Sequence, residues 1–462
     1  MTESQPSPPS NVSASAGHFW RGLLAAVAAL FTYVGWRVLL YGRRLFRQPA
    51  WRPRSTIDEL AANIETRIVG YDIAAANVRA GIETRTLLSG AEKQVLCAGW
   101  RNFREPWARD FGFASLGLLA MQETQVVRES LEAFLAYQRP DGQFPVKIHS
   151  TSIVDRYMHS LFGREQPITR PLRPKYITAH NTVSLDGNCL LIIAALAYAN
   201  HADDEAFARQ SWPALLQALH WLESWIDPAD GLLHQAAFTD WADSVGRTGR
   251  VLYTNVLYWK ALQEMARAAK THGRAADHPS LFARAQRVGE AVQQYFWRDD
   301  LGYFVTGETF EFLSSSGNLL AIAWELATPA QSQSILDKMA AYGMADPVPT
   351  LVTQLPYPRS SIALENRLAG IPEYHTHAAW LWLGAWHVVA LVTAGRLAEA
   401  RAILDRIDAV IVRDGVVHEV YGRNGRPLAT RWYTAEAPLT WNAGMVVYAH
   451  HVLRQALQKE QA

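Results

Sequence analysis

Two cysteines, Cys97 and Cys189, are all that the 462 residues hold. A scaffold built on disulfides is thereby excluded, and so low a count fits a reducing compartment. There is no CxxC, no HExxH and no Cys/His cluster, so neither structural zinc nor metal catalysis is expected. Strand–helix–strand alternation is missing, and so is a glycine-rich nucleotide loop; no cofactor is expected. Charge of one sign is also scarce, with a formal net charge of +1. It is unevenly placed. Residues 4–57 carry seven Arg and no Lys, Asp or Glu, whereas residues 58–462 carry 37 basic and 42 acidic residues. A mildly acidic body argues against nucleic acid as a partner.

What the chain has in quantity is apolar and aromatic surface: 49% hydrophobic residues, with 17 Trp, 17 Tyr and 16 Phe. That is ample for a large core. Residues 1–17 are the exception, rich in Ser, Pro and Ala, and they read as a disordered tail. Residues 18–57 form a second region. Gly22 to Trp36 is uncharged and flanked by Arg21 and Arg37, followed by Arg43, Arg44, Arg47, Arg52 and Arg54. Fifteen helical residues span roughly 22 Å, and snorkelling arginines extend the usable length toward a bilayer's roughly 30 Å. The expectation is a hydrophobic helix, separate from the body, that meets a membrane through residues 19–41. A cleaved signal peptide or a helix lying on the surface are the alternatives. If the helix spans, the arginines on its C-terminal side put the body in the cytoplasm.

From residue 58 to 462 the dominant period is helical, and no linker interrupts it. Helices are expected near 118–138, 189–200, 209–226, 251–270, 281–297, 316–327, 376–394, 397–411 and 440–457. Strand patterns are short and few, as at Val416–Tyr421. The helices are punctuated by a recurring acidic turn that runs into an apolar residue. It is seen at Pro140-Asp141-Gly142-Gln143-Phe144, Ala229-Asp230-Gly231-Leu232, Asp299-Asp300-Leu301-Gly302-Tyr303 and Arg413-Asp414-Gly415-Val416. Asp bonding its own backbone and Gly at positive φ explain the composition of such turns. Their recurrence implies repeated helical hairpins, about six of them, which can close into a ring with long loops gathered at one end. The expected fold is all-α, an (α/α)6 toroid.

Four loop segments stand out as polar, aromatic and unlike simple turns. Residues 103–119 hold Trp107, Arg109 and Asp110. Residues 177–198 hold Asp186, and 230–262 hold Asp240 and Asp243 on either side of Trp241. Residues 416–447 hold Glu419, Glu436 and Trp441. Asp110, Asp186 and Glu436 stand where helix capping would also explain them. A carboxyl group against aromatic surface has its charged form desolvated, which raises its pKa toward that of a working acid. Aromatic rings in such loops suit the flat C–H face of a pyranose.

In order along the chain, these segments resemble the helical-toroid glycosidases. The likeness is to the amylo-α-1,6-glucosidase domain of glycogen debranching enzymes and to the neutral/alkaline invertases. Trp107-Ala108-Arg109-Asp110 is similar to the W-x-R-D opening, and Ser184-Leu185-Asp186 to the V-D-S segment. Trp241-Ala242-Asp243 with Gly249 and Asn255-Val256-Leu257-Tyr258 resembles T-W-M-D…G…N-A-L-W-Y. Tyr374-His375 before Trp380 resembles the Y-H-N-G…W-P turn. His418-Glu419-Val420-Tyr421 and Leu439-Thr440-Trp441-Asn442-Ala443-Gly444 resemble invertase segments. Tyr253 stands where those patterns carry a Glu. The resemblance implies an inverting hydrolase of an α-glucosidic bond in an oligosaccharide or glycogen-like glucan. Asp243 would be the acid and Glu419 the base, with Asp186, Asp240 and Glu436 as alternatives. Trp107, Arg109, Asp110, Asp186, Trp241, His375 and Trp441 would hold the sugar. Sucrose hydrolysis is the alternative activity. A membrane-tethered sugar-binding protein without catalysis is the alternative of another class.

Overall fold

Twelve helices carry the architecture. They are α1 (Ile64–Ala80), α2 (Ala108–Ala120), α3 (Thr124–Leu135), α4 (Asp186–His201), α5 (Glu205–Glu223) and α6 (Leu252–Thr271). After them come α7 (His278–Phe296), α8 (Ser315–Ala323), α9 (Pro329–Ala341), α10 (Leu381–Thr393), α11 (Leu397–Asp414) and α12 (Thr440–Gln461). The computed structural model describes residues 57–152, 159, 164–168 and 170–461, and besides them residues 32, 33, 35 and 36. The hydrophobic, Arg-rich segment otherwise lies outside the described residues. No helix among the described residues is long and apolar enough to cross a membrane.

The even-numbered helices form a closed inner ring. α2 packs on α4, α4 on α6, α6 on α8, α8 on α10 and α10 on α12, and α12 returns to α2. Sequence composition explains which helices go inside. In α4, DGNCLLIIAALAYANH, 13 of 16 residues are buried, and in α10, LWLGAWHVVALVT, 11 of 13, so neither shows a solvent face. The outer helices are one-sided. α7 buries Leu281, Ala285, Val288, Gly289, Val292 and Phe296 and turns its remaining residues outward. α3, α5, α7 and α11 each cover the inner helix that precedes them, whereas α1, first of these twelve, covers α12, the last of them. One contiguous core runs through all of them. The closest approach in the ring is glycine on glycine. A methyl group built on Gly117 of α2 would fall on the carbonyl oxygen of Gly444 of α12, and one on Gly444 would stand 2.9 Å from the Ala114 Cα.

The expected helices are present, with Ile64–Ala80 and Pro329–Ala341 in addition, and the strand expected at Val416–Tyr421 does not form. The stretch 118–138 is two helices, because the chain turns at Met121–Glu123 with Gln122 at φ 63°. Short antiparallel hairpins, β1 (Ile82–Thr86) with β2 (Glu92–Leu96) and the three-stranded β7 (Trp297–Arg298), β8 (Tyr303–Gly307) and β9 (Phe310–Leu313), were not foreseen. Between β2 and β7 lie the pairs β3 (Lys147–His149) with β4 (Arg173–Lys175) and β5 (His234–Gln235) with β6 (Gly249–Arg250).

The recurring acidic turns have a partner that explains their recurrence. Asp141 and Asp230 accept from the backbone two residues on, as an Asx turn requires. The apolar residue that follows is then held by an asparagine from the first turn of the next inner helix. Phe144 N–H donates to Asn188 Oδ1 at 3.0 Å, Leu233 N–H to Asn255 Oδ1 at 2.8 Å, and Phe304 N–H to Asn318 Oδ1 at 3.0 Å. Asn442 Nδ2 donates to the His418 carbonyl at 2.7 Å. Each clamp joins the turn that ends one outer helix to the inner helix that begins the next hairpin. These asparagines are buried, so Asn255→Leu strands two backbone groups and should cost about 1–3 kcal/mol. A lowered urea midpoint at unchanged slope is the expected readout.

Candidate active site

The N-terminal ends of α2, α10 and α12 and the loop before α6 converge on a pocket open to solvent on one side. Trp107 immediately precedes α2 and Asp110 stands in its first turn. Trp380 precedes α10, and Trp441 stands in the first turn of α12. Trp241 and Asp243 come from the loop before α6, Tyr374 and His375 from the loop before α10, and Glu419 and Leu439 from the loop before α12. Phe103 completes the lining with Arg109.

Aromatic packing sets the walls. Trp241 meets Trp382 and Trp380 edge-on at 4.9 and 5.8 Å, and its Nε1 donates to Ser316 Oγ at 3.0 Å. His375 stacks on Trp380 at 5.3 Å. Its Nδ1 accepts from Ser244, the residue after Asp243, with Oγ at 2.9 Å. Burial holds this imidazole well below its ordinary pKa.

Three carboxyl groups face the pocket. Asp243 is deep among protein atoms yet 42% accessible through the pocket, and no hydrogen bond from the described residues reaches its carboxyl. Burial pushes its pKa up to about 6, against the opposing pull of Arg109. Burial likewise pushes Asp110 up to about 7. Glu419 is 2% exposed. Tyr374 donates to its Oε1, and Tyr433 and the Glu436 N–H, the latter at 2.8 Å, donate to its Oε2. Burial raises its pKa, and these three donors oppose the rise.

The remaining sequence candidates fall elsewhere. Asp186, expected as a sugar ligand or alternative acid, does not line the pocket. It stands fully buried behind Arg109, which binds it through Nε at 2.6 Å and Nη2 at 3.3 Å. Ser184 and Tyr253, at 3.3 Å, also donate to it. Both oxygens are therefore committed, and Asp186 acts by fixing the guanidinium. Burial works against the charge of Arg109, but Asp186 outweighs it and keeps the pKa above the ordinary value. Asp240 is paired with Arg247 and accepts from Gln235 at 2.7 Å, away from the pocket. Glu436 accepts from the backbone N–H groups of Trp100, Arg101 and Asn102, at 2.7–3.2 Å, and so ties the loop bearing Phe103 to the segment bearing Glu419. The pocket thus gathers Asp243, Glu419, Trp107, Arg109, Asp110, Trp241, His375 and Trp441 from the sequence candidates.

Phe103, Tyr374, Trp380 and Leu439 also line the pocket, and Tyr433 supports it. Tyr374 and Trp380 belong to the segment that resembles the Y-H-N-G…W-P turn, a signal that could have marked them. Tyr433 carries no such signal. Among the described residues one trio of possible metal ligands converges, Asp227, Asp230 and His234; it does not line the pocket.

Comparison with known proteins agrees with this architecture. The sequence profile of the bacterial α-L-rhamnosidase six-hairpin glycosidase domain matches residues 101–346. No curated protein matches the sequence. Among solved structures, a rhamnosidase from Klebsiella oxytoca with rhamnose bound is similar at a TM-score of 0.62 and 15% identity, over 83% of this chain. The chain spans 63% of that rhamnosidase's length. A GH63 mannosylglycerate hydrolase from Thermus thermophilus in complex with glucose is similar at a TM-score of 0.60 and 12% identity, over 82% of this chain and 99% of that one. A GH78 rhamnosidase from Bacillus is similar at a TM-score of 0.56 and 17% identity, over 83% of this chain and 34% of that one.

Proposed function

The chain belongs to the family of bacterial α-L-rhamnosidase six-hairpin glycosidase domains, and from that membership we propose an exo-acting, inverting hydrolase of α-glycosides that removes one terminal neutral sugar. One observation carries the reading. One aromatic-walled pocket receives both a carboxyl group with a raised pKa and no hydrogen bond from the described residues, Asp243, and a carboxylate held by three donors, Glu419. Glycoside hydrolysis by inversion uses one protonated and one ionised carboxyl group on opposite sides of the bond. Asp243 supplies the proton to the leaving oxygen. Glu419 activates the water that attacks the anomeric carbon. Trp241, Trp380 and Trp441 give flat apolar surface for a pyranose.

The charges support a neutral sugar. In the working state Asp243 keeps its proton and Glu419 is ionised, and the one cation among the lining residues, Arg109, is neutralised by its partner Asp186. A uronic acid would meet net negative charge. The sequence resemblance to debranching enzymes and invertases favours an α-glucosyl group, from a glucan branch or from sucrose. The family profile favours a second reading, an α-L-rhamnosyl group. The experiment is a hydrolysis panel followed by NMR of the released anomer. It contains 4-nitrophenyl α-D-glucoside, α-L-rhamnoside and α-D-glucuronide, with isomaltose and sucrose. We expect one neutral glycoside to be cleaved, first appearance of the inverted anomer, and no cleavage of the glucuronide. Sugar binding without hydrolysis anywhere in the panel would overturn the enzymatic reading.

A further inference from the structure

A carboxylate has about four lone-pair positions, two on each oxygen. On Glu419, Oε2 is saturated by the Tyr433 hydroxyl and the Glu436 N–H at 2.8 Å. Among the described residues Oε1 accepts only from Tyr374. The backbone that carries this carboxylate is held on both sides. Glu419 N–H donates to the Glu436 carbonyl at 2.9 Å, and Asn442 Nδ2 donates to the Glu419 carbonyl at 2.8 Å. Tyr374 lines the pocket and Tyr433 does not, so the unsaturated oxygen is the one beside the pocket-lining hydroxyl. Tyr433 is itself set in place, its N–H on Thr430 Oγ1 at 3.1 Å and that hydroxyl on the Ala369 carbonyl at 2.7 Å.

Resting on the reading of Glu419 as the base, we infer that its Oε1 accepts the proton of the attacking water and that Tyr433 is a positioning residue that holds Oε2 out of the reaction. In that step the water oxygen bonds to the anomeric carbon while the bond from that carbon to the leaving oxygen breaks. The water proton goes to Glu419 Oε1, and the Asp243 proton goes to the leaving oxygen. The charges that face Glu419 during this are few. Glu436 adjoins it, Asp110 and Arg109 share its pocket, and Arg101 lies on Glu436 at 3.9 Å. None of these can replace a lost tyrosine donor.

The test is the pH profile of the full chain carrying Tyr433→Phe, read on the glycoside that the panel selects. The variant loses one donor to the carboxylate and little volume. The ionised form of Glu419 is then less stabilised, so the acidic limb of kcat/KM moves to higher pH, by roughly half a unit or more. The expected kcat falls about 10-fold with KM within about 2-fold, because Tyr433 does not touch the sugar. Tyr374→Phe should move the same limb and change KM as well. A Tyr433→Phe enzyme with the wild-type limb and kcat overturns the inference. Should that variant fail to fold, 3-fluorotyrosine at position 433, a stronger donor of nearly equal size, must move the limb to lower pH, and an unmoved limb overturns the inference equally. Glu419→Gln separates the two levels. If Glu419→Gln stays active, the base assignment itself falls; if it is inactive while Tyr433→Phe is unchanged, only the present inference falls.

Discussion

Asp243→Asn should lower kcat on a glycoside with an unactivated leaving group roughly 100- to 10,000-fold, with KM within a few-fold of wild type. The loss should shrink sharply on a substrate whose leaving group needs no proton, such as a glycosyl fluoride. Glu419→Gln should lose a similar factor on both substrates, because the water needs its base whatever departs. The pH dependence follows from the same roles. The free enzyme works with Asp243 protonated and Glu419 ionised. With Asp243 at about 6, kcat/KM should fall as the pH rises through about 6. Burial of Glu419 raises its pKa, which brings the acidic limb up toward the alkaline one and narrows the optimum on the acid side of neutrality. Asp243→Asn should abolish the alkaline limb in whatever activity remains. An alkaline limb still near pH 6 in that variant would assign the acid elsewhere.

Asp186→Ala should have the largest effect on stability. It leaves the guanidinium of Arg109, 8% exposed, without its bidentate partner. Removing one member of a buried ion pair costs about 3–5 kcal/mol, because the remaining charge stays desolvated. Ser184 at 3.5 Å and the Thr239 carbonyl at 3.4 Å lie too far from Arg109 Nη2 to compensate. Asp186→Asn keeps the shape and one acceptor oxygen and should lose less. Both variants should lose activity through a displaced Arg109 while an alkaline limb persists, because Asp243 is still the acid; its position moves with the altered charge beside it. Urea unfolding and a kcat/KM profile on the same preparations check both halves. Wild-type stability in Asp186→Ala, or a vanished alkaline limb in Asp186→Asn, would contradict the buttressing role.

The ring was legible because its signals are local. Helix periods and Asp-Gly turns are read within a few residues, and their recurrence counts the hairpins. The asparagine clamps were not legible, since Asn188 lies 44 residues from the backbone group it holds and nothing near it marks the partner. The site divides in the same way. Asp243 and Glu419 stand in loops whose composition sets them apart. Asp186 was harder, because the first residue of a buried helix suits a cap, a sugar ligand or an ion-pair partner equally until Arg109 is seen against it. Asp240 misled for a related reason: its partner Arg247 lies seven residues on, yet sequence does not say which neighbouring Asp turns inward. The short hairpins around β1 and β8 escaped because their strands are too short to show an alternating pattern.

The seam of the ring bears on how the protein is made. α1 rests on α12, and the seam is tied by bonds between residues 340 and 343 apart, from Val417 N–H to Asn77 and from Thr440 to the Cys97 carbonyl. A chain emerging from the ribosome therefore carries Trp107 and Asp110 before it has the wall that Glu419 and Trp441 complete. The pocket is assembled only after translation has passed Trp441. Until then the apolar flanks of α2 and α10 that α12 will cover are open to solvent, and to other chains. Contacts so distant in sequence are slow to form. Chaperone demand and aggregation during expression should therefore track the last helix: destabilising α12 should reduce yield more than an equal injury to α3.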